Sequence, residues 1–118
     1  MYRDPSLFLD DIKTSATKIM RYTEGMDRAA FETDEKTVDA VVRNLAIIGE
    51  AVKKLPAELK DRHRKVEWRK MVGLRDFVVH EYFGIDTEIL WDIVSNKIPE
   101  LLSYVDEIIS SEDFSQGH

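Results

Sequence analysis

At 118 residues, 43% hydrophobic and 34% charged, the chain is long enough for one domain with a modest core and too apolar for a disordered segment. It has no cysteine, which excludes disulfides, thiolate catalysis and cysteine-based zinc sites, and no apolar run near ~18 residues, which excludes a membrane-spanning helix. The net charge of −6 is unevenly placed: Met1–Leu59 holds 9 basic and 11 acidic residues, Lys60–Arg75 holds 7 and 2, and Asp76–His118 holds 1 and 10. The acidic balance speaks against a general nucleic-acid binder, while the one basic block would draw a phosphate backbone.

Asp4-Pro5 reads as a helix start, an N-cap acceptor followed by proline at the first helical position. The first helix is expected over Pro5–Gly25, with Phe8, Ile12, Ser15, Ile19, Tyr22 and Met26 inward and Gly25 as its stop. A short helical turn is expected over Asp27–Phe31. A second long helix begins near Thr33 or Asp34 and ends before Pro56. Val38, Val41, Val42, Leu45, Ile48, Gly49, Val52 and Leu55 keep helical spacing along it, and Ala40, Asn44, Ile47 and Ala51 form a flanking stripe. A helix apolar on two sides is expected between two neighbours, one of which could be another subunit. Pro56–Val66 reads as a linker carrying most of the basic patch, and His63 within it receives no role. The third helix spans about Glu67 to Tyr82 or Phe83, ended by Gly84. Asp86 or Thr87 caps a fourth helix with Ile89, Leu90, Ile93 and Val94 inward and Trp91 as a packing anchor. Asn96 caps a fifth helix, with Pro99 in its first turn and Leu101, Leu102, Val105, Ile108 and Ile109 facing the core. From about Ser110 to His118 the chain reads as a fraying tail. No stretch alternates as a strand does, so the fold class is all-α: a single-domain bundle of about five helices.

The chemistry concentrates in Leu74-Arg75-Asp76-Phe77-Val78-Val79-His80-Glu81-Tyr82. At about 100° per residue, Arg75 shares a face with Trp68, Met71, Val72, Val79 and Tyr82. A guanidinium on an apolar face needs a partner, either a carboxylate of the protein or an anionic ligand. Glu50, seven residues from Arg43 on one helix face, is the preferred carboxylate. His80 lies about 140° round the helix from Arg75, near Arg69 and one turn after Asp76, and its ordinary titration range lets it carry a proton near neutrality. Arginine for an anion and histidine for a proton make a minimal metal-free phosphoryl-transfer pair. The same residues also fit an ordinary amphipathic helix with one snorkelling arginine. His63, His80 and His118 are too scattered for a metal cluster, and no cofactor motif is present.

Arg75-x4-His80-x-Tyr82 resembles the signature of the HEPN superfamily, in its HepT-like toxin branch. Arg43-Asn44-Leu45-Ala46-Ile47-Ile48-Gly49-Glu50-Ala51, Trp68-Arg69-Lys70-Met71-Val72-Gly73 and Tyr82-Phe83-Gly84-Ile85-Asp86 leading to Trp91 follow in the same order, so the likeness runs from about Leu7 to Ile109. The resemblance implies a HEPN-type helical homodimer and a metal-independent endoribonuclease acting as a toxin in the cytoplasm of a prokaryote. It implies Arg75 at the scissile phosphate, His80 as acid or base and Asp76 orienting His80. It further implies that a minimal nucleotidyltransferase antitoxin attaches AMP to Tyr82. The alternative is a non-catalytic HEPN module that binds the nucleotidyltransferase or a nucleotide.

Overall fold

The first helix begins where its cap predicts. The Asp4 carboxylate accepts from the Ser6 N–H at 2.9 Å, Pro5 occupies the first turn, and α1 runs Pro5–Tyr22. Gly25 follows at φ +77°, a left-handed conformation that glycine adopts without Cβ strain, and it turns the chain. The computed structural model describes residues 3–80 and 86–112, with positions 75 and 77–80 as backbone only. Asp27 caps a short α2 (Arg28–Thr33) by accepting from Ala30 N–H, and Asp34 caps α3 (Glu35–Lys54) by accepting from Thr37 N–H. Hydrogen bonding to the charged form, chiefly from Thr37, holds the Asp34 carboxyl below its ordinary range. Leu55 is extended and Pro56 follows it, so α3 stops there.

α3 is the central helix. Val41, Val42, Leu45, Ile48, Gly49 and Val52 are buried as their spacing requires, and so are Asn44 and Ala51 of the flanking stripe. Asn44 meets its burial by donating to the Ala40 carbonyl at 2.8 Å. The helices packed most extensively on α3 are α1 and α5 (Trp68–His80) of this chain, and α2 touches it as well. Tyr22 lies beside Asp39 and Ala40, and Phe8 beside Ala51 and Lys54, so α1 and α3 run antiparallel. α1 buries Leu9, Ile12, Ala16 and Ile19, with Tyr22 left at the edge.

Three expectations need correction. The segment after Pro56 is no mere linker: Ala57–Arg62 forms α4, pinned by Leu59, which is 2% exposed. The fourth and fifth helices are not separated by an Asn96 cap. α6 (Thr87–Asp92), capped by Asp86, continues through a π-helical turn (Ile93–Lys97) into α7 (Ile98–Ser111). Pro99 explains that turn: it lacks an N–H and crowds the carbonyl four residues back, and the backbone widens so that Ile98 N–H reaches the Ile93 carbonyl. Asn96 donates instead to the Asp92 carboxylate at 2.8 Å. Ile89 is 47% exposed, because Leu90, Ile93 and Val94 take the inward face and leave it on the flank. Phe31 is fully buried and packs on Trp91, ring centroids 5.4 Å apart, which fastens α2 to α6. Among the described residues every regular element is helical, and no helix is long and apolar enough to cross a membrane.

Candidate active site

α5 carries the arginine and histidine positions, and its start is fixed by three neighbours. The Trp68 indole N–H donates to the carbonyls of Lys60 (3.1 Å) and His63 (3.0 Å), tying the helix to the end of α4. Val66 is buried just before it. Trp68, Met71, Val72 and Leu74 pack against the core, so one face of α5 is turned inward.

The α4–α5 loop is held a second time, from the far end of the chain. The Arg62 Nε–H donates to Glu112 Oε2 at 3.1 Å, and His63 Nε2 lies 2.8 Å from the same oxygen. Arg62 first, then His63, hold the Glu112 carboxyl well below the usual carboxylate range, at about 2. His63, given no role from the sequence, is one arm of this clasp, with its side chain only 18% exposed. Nothing local signals a contact 49 residues long. Lys65 extends the same seam toward Glu107 at 3.8 Å.

Along α5, Arg69, Gly73 and Asp76 are exposed and share the line that continues, by helical spacing, to position 80. Position 75 falls on the line of Trp68 and Val72, which pack inward. The side chains of Arg75 and His80, and the whole of Tyr82 and Gly84, lie outside the described residues, so the expected pairings with these groups are not described. Glu50 is half-buried and lines a groove between α1 and α3 with Arg3, Asp11 and Lys54. Arg43 lines the next groove along the same helix with Lys18, Tyr22 and Asp39. The two therefore share a face of α3, as their spacing indicates. Among the described residues no cluster of three or more His, Asp or Glu side chains could hold a metal ion.

On the α4 side of α5 lies a groove of about 720 Å³, bordered by Lys60, Arg64, Arg69 and Lys70 and floored by Val66, Trp68 and Val72. Four residues of the basic block, with Asp61 and Glu67 among them, thus share one concave surface beside the helix that bears positions 75 and 80. Such a surface can hold an anionic chain against apolar ring and methyl groups.

Comparison with known proteins agrees with the residue pattern. The family model described as ribonuclease HepT-like matches residues 12–108. A candidate RNase of Methanocaldococcus jannaschii is 44% identical over 107 residues, covering 91% of this chain and 88% of that protein. A candidate RNase of Caldanaerobacter subterraneus subsp. tengcongensis is 38% identical, covering 93% of this chain and 98% of its own length. A protein named as a candidate ribonuclease HepT in Thermococcus cleftensis is 40% identical, with coverage of 86% and 92%. No solved structure gives a significant match.

Proposed function

The chain belongs to the HepT-like ribonuclease family, and from that premise we propose that it is a toxin that cuts RNA through Arg75 and His80 and is silenced by a nucleotidyltransferase partner. The observation that carries this reading is the family match across residues 12–108, which spans the whole Arg75–Tyr82 stretch. The α5 helix gives that stretch a helical register up to His80.

RNA brings its own nucleophile, so the protein need only stabilise charge and move a proton. In the proposed step the ribose 2′-oxygen attacks phosphorus, the bond to the 5′-oxygen breaks, and a 2′,3′-cyclic phosphate forms. His80 takes the 2′-hydroxyl proton or delivers one to the departing 5′-oxygen. The Arg75 guanidinium donates its paired N–H groups to the non-bridging oxygens, where negative charge grows. Asp76, one turn before His80, orients the imidazole, and Glu50 is the carboxylate proposed to balance Arg75.

A helix sets positions 75 and 80 about 140° apart, so one copy of α5 does not aim both at one phosphate without a long reach. A homodimer with two α5 helices face to face would pool Arg75 of one copy with His80 of the other. Gly73 supports this arrangement. It is exposed at the centre of α5, and among the described residues a Cβ there would meet nothing within 4 Å, so their packing gives no reason for it.

Seven residues separate Arg75 from Tyr82, the spacing that on a helix returns to one face. Its hydroxyl oxygen would attack the α-phosphate of ATP, releasing pyrophosphate and the phenolic proton. The attached AMP phosphate would then occupy the anion site of Arg75 and exclude RNA.

Incubation with total RNA in a chelator tests the chemistry. The unaltered protein should cut, and Arg75→Ala or His80→Ala should lower the rate at least about 100-fold while the circular dichroism is unchanged. Equal cutting by all three would remove the catalytic roles and leave a non-catalytic binding module. For Tyr82, intact mass after incubation with the partner and ATP should rise by one or more AMP units, and Tyr82→Phe should abolish the rise. No rise, or a rise in both proteins, rejects the modification.

A further inference from the structure

The groove beside α5 has a composition that neither the fold nor the arginine–histidine pair requires. Two carboxylates border it besides the four basic residues, and one of them, Glu67, is held by Lys70 at 2.7 Å. Lys60, Arg64 and Arg69 form no ion pair among the described residues, which sets three cations against Asp61 alone. Like charges gathered on one wall repel unless an anion joins them, and they stand out on a chain whose net charge is −6.

The floor narrows the choice of anion. The Trp68 N–H is already used by two backbone carbonyls, so the indole offers the groove ring carbon rather than a donor. A cationic rim over an aromatic and aliphatic floor suits a strand whose phosphates follow the rim while a base stacks on the ring. An acidic peptide would satisfy the rim and leave the ring without a flat partner.

The groove also leads somewhere. Two lines of α5 leave the groove: that of Trp68 and Val72 continues to position 75, and that of Arg69 continues to position 80, about 12 Å beyond Val72 at the helical rise. The Arg62–Glu112–His63 clasp fixes the loop that carries Arg64, so the rim is set before any ligand arrives.

We infer that this groove is the track for single-stranded RNA, with Lys60, Arg64 and Arg69 on its phosphates and Trp68 against a base, leading the strand to Arg75 and His80. The inference rests on the ribonuclease reading and adds the surface that holds the substrate away from the cut.

The test measures binding apart from cutting. A short, unstructured, fully 2′-O-methylated RNA has no free nucleophile and stays intact. Its affinity is read by fluorescence anisotropy across a salt series, for the unaltered chain and for the triple variant Lys60→Gln/Arg64→Gln/Arg69→Gln, with folding checked by circular dichroism. The variant should bind at least about tenfold more weakly near 0.1 M salt, and its slope of log K against log salt should be shallower by about 2. In a Trp91→Phe background the same RNA should quench the remaining Trp68 emission. Unchanged affinity and slope in the triple variant overturn the track, as does failure of the unaltered chain to bind. So does a variant that keeps RNA but loses a co-expressed nucleotidyltransferase, which makes the groove a protein-docking face. Cutting of unmodified RNA is scored separately. Cutting that survives the triple variant with unchanged KM removes the track and spares the nuclease. Groove-dependent binding without cutting removes the nuclease and spares the track.

Discussion

Gly73 carries a cost that the monomer does not return. At the middle of an exposed helical face glycine is about 1 kcal/mol less favourable than alanine, and no described residue lies within 4 Å of where a Cβ would stand. Gly73→Ala should therefore raise the stability of the isolated chain by about 0.5–1 kcal/mol. On the proposed dimeric nuclease it should also shift the chain toward monomer in sedimentation and lower RNA cutting, because a methyl group would hold two α5 helices apart. A stabilised variant with unaltered assembly and activity would withdraw this support for the dimer. At this scale residue identity names only candidate chemistry, at Arg75, Asp76, His80 and Tyr82. It was silent at His63, whose role depends on a carboxylate 49 residues away.

Helices were legible in proportion to the length of their periodic pattern. Asp4 caps the helix it was expected to cap, Asp86 is the one of two candidates that caps α6, and Asp34 caps a helix expected to begin near it, because a cap is a contact within one turn. α4 was missed because six residues are too few to show a period, and Leu59 alone anchors it. The seam between α7 and the α4–α5 loop yields a pH prediction. The Glu112 carboxyl is held at about 2 in the folded chain, below its ordinary value of 4.5. A depressed carboxylate contributes stability that is present above the ordinary value and is lost as pH falls toward the folded one. Glu112→Gln should therefore lower the Tm near neutral pH, with the gap closing between about pH 4.5 and pH 2. A gap of the same size at both ends would mean that the clasp acts through packing and not through charge.

In the whole molecule, α1, α3 and α7 bury one continuous core with Phe31 at its edge. Phe31 is fully enclosed and joins α2 to Trp91, so Phe31→Ala should cost about 3–5 kcal/mol. That is a large share of the roughly 5–15 kcal/mol that holds a domain. The urea midpoint should fall accordingly, and a loss under about 1 kcal/mol would show that the site collapses around the gap. The sequence by itself determined the helical class, the long helices, the cap at Asp4, the approximate starts of α3 and α6, and the family, because periodicity, capping chemistry and ordered motifs are local quantities. Only the tertiary structure decided that α3 packs between α1 and α5 of its own chain, and that α6 and α7 form one widened helix. It alone gathered Lys60, Arg64 and Arg69 round Trp68, while Glu112 reaches back to lock their loop. Those are contacts between distant residues, chosen by which surfaces exclude water together and which charges meet, and no single stretch of sequence encodes them.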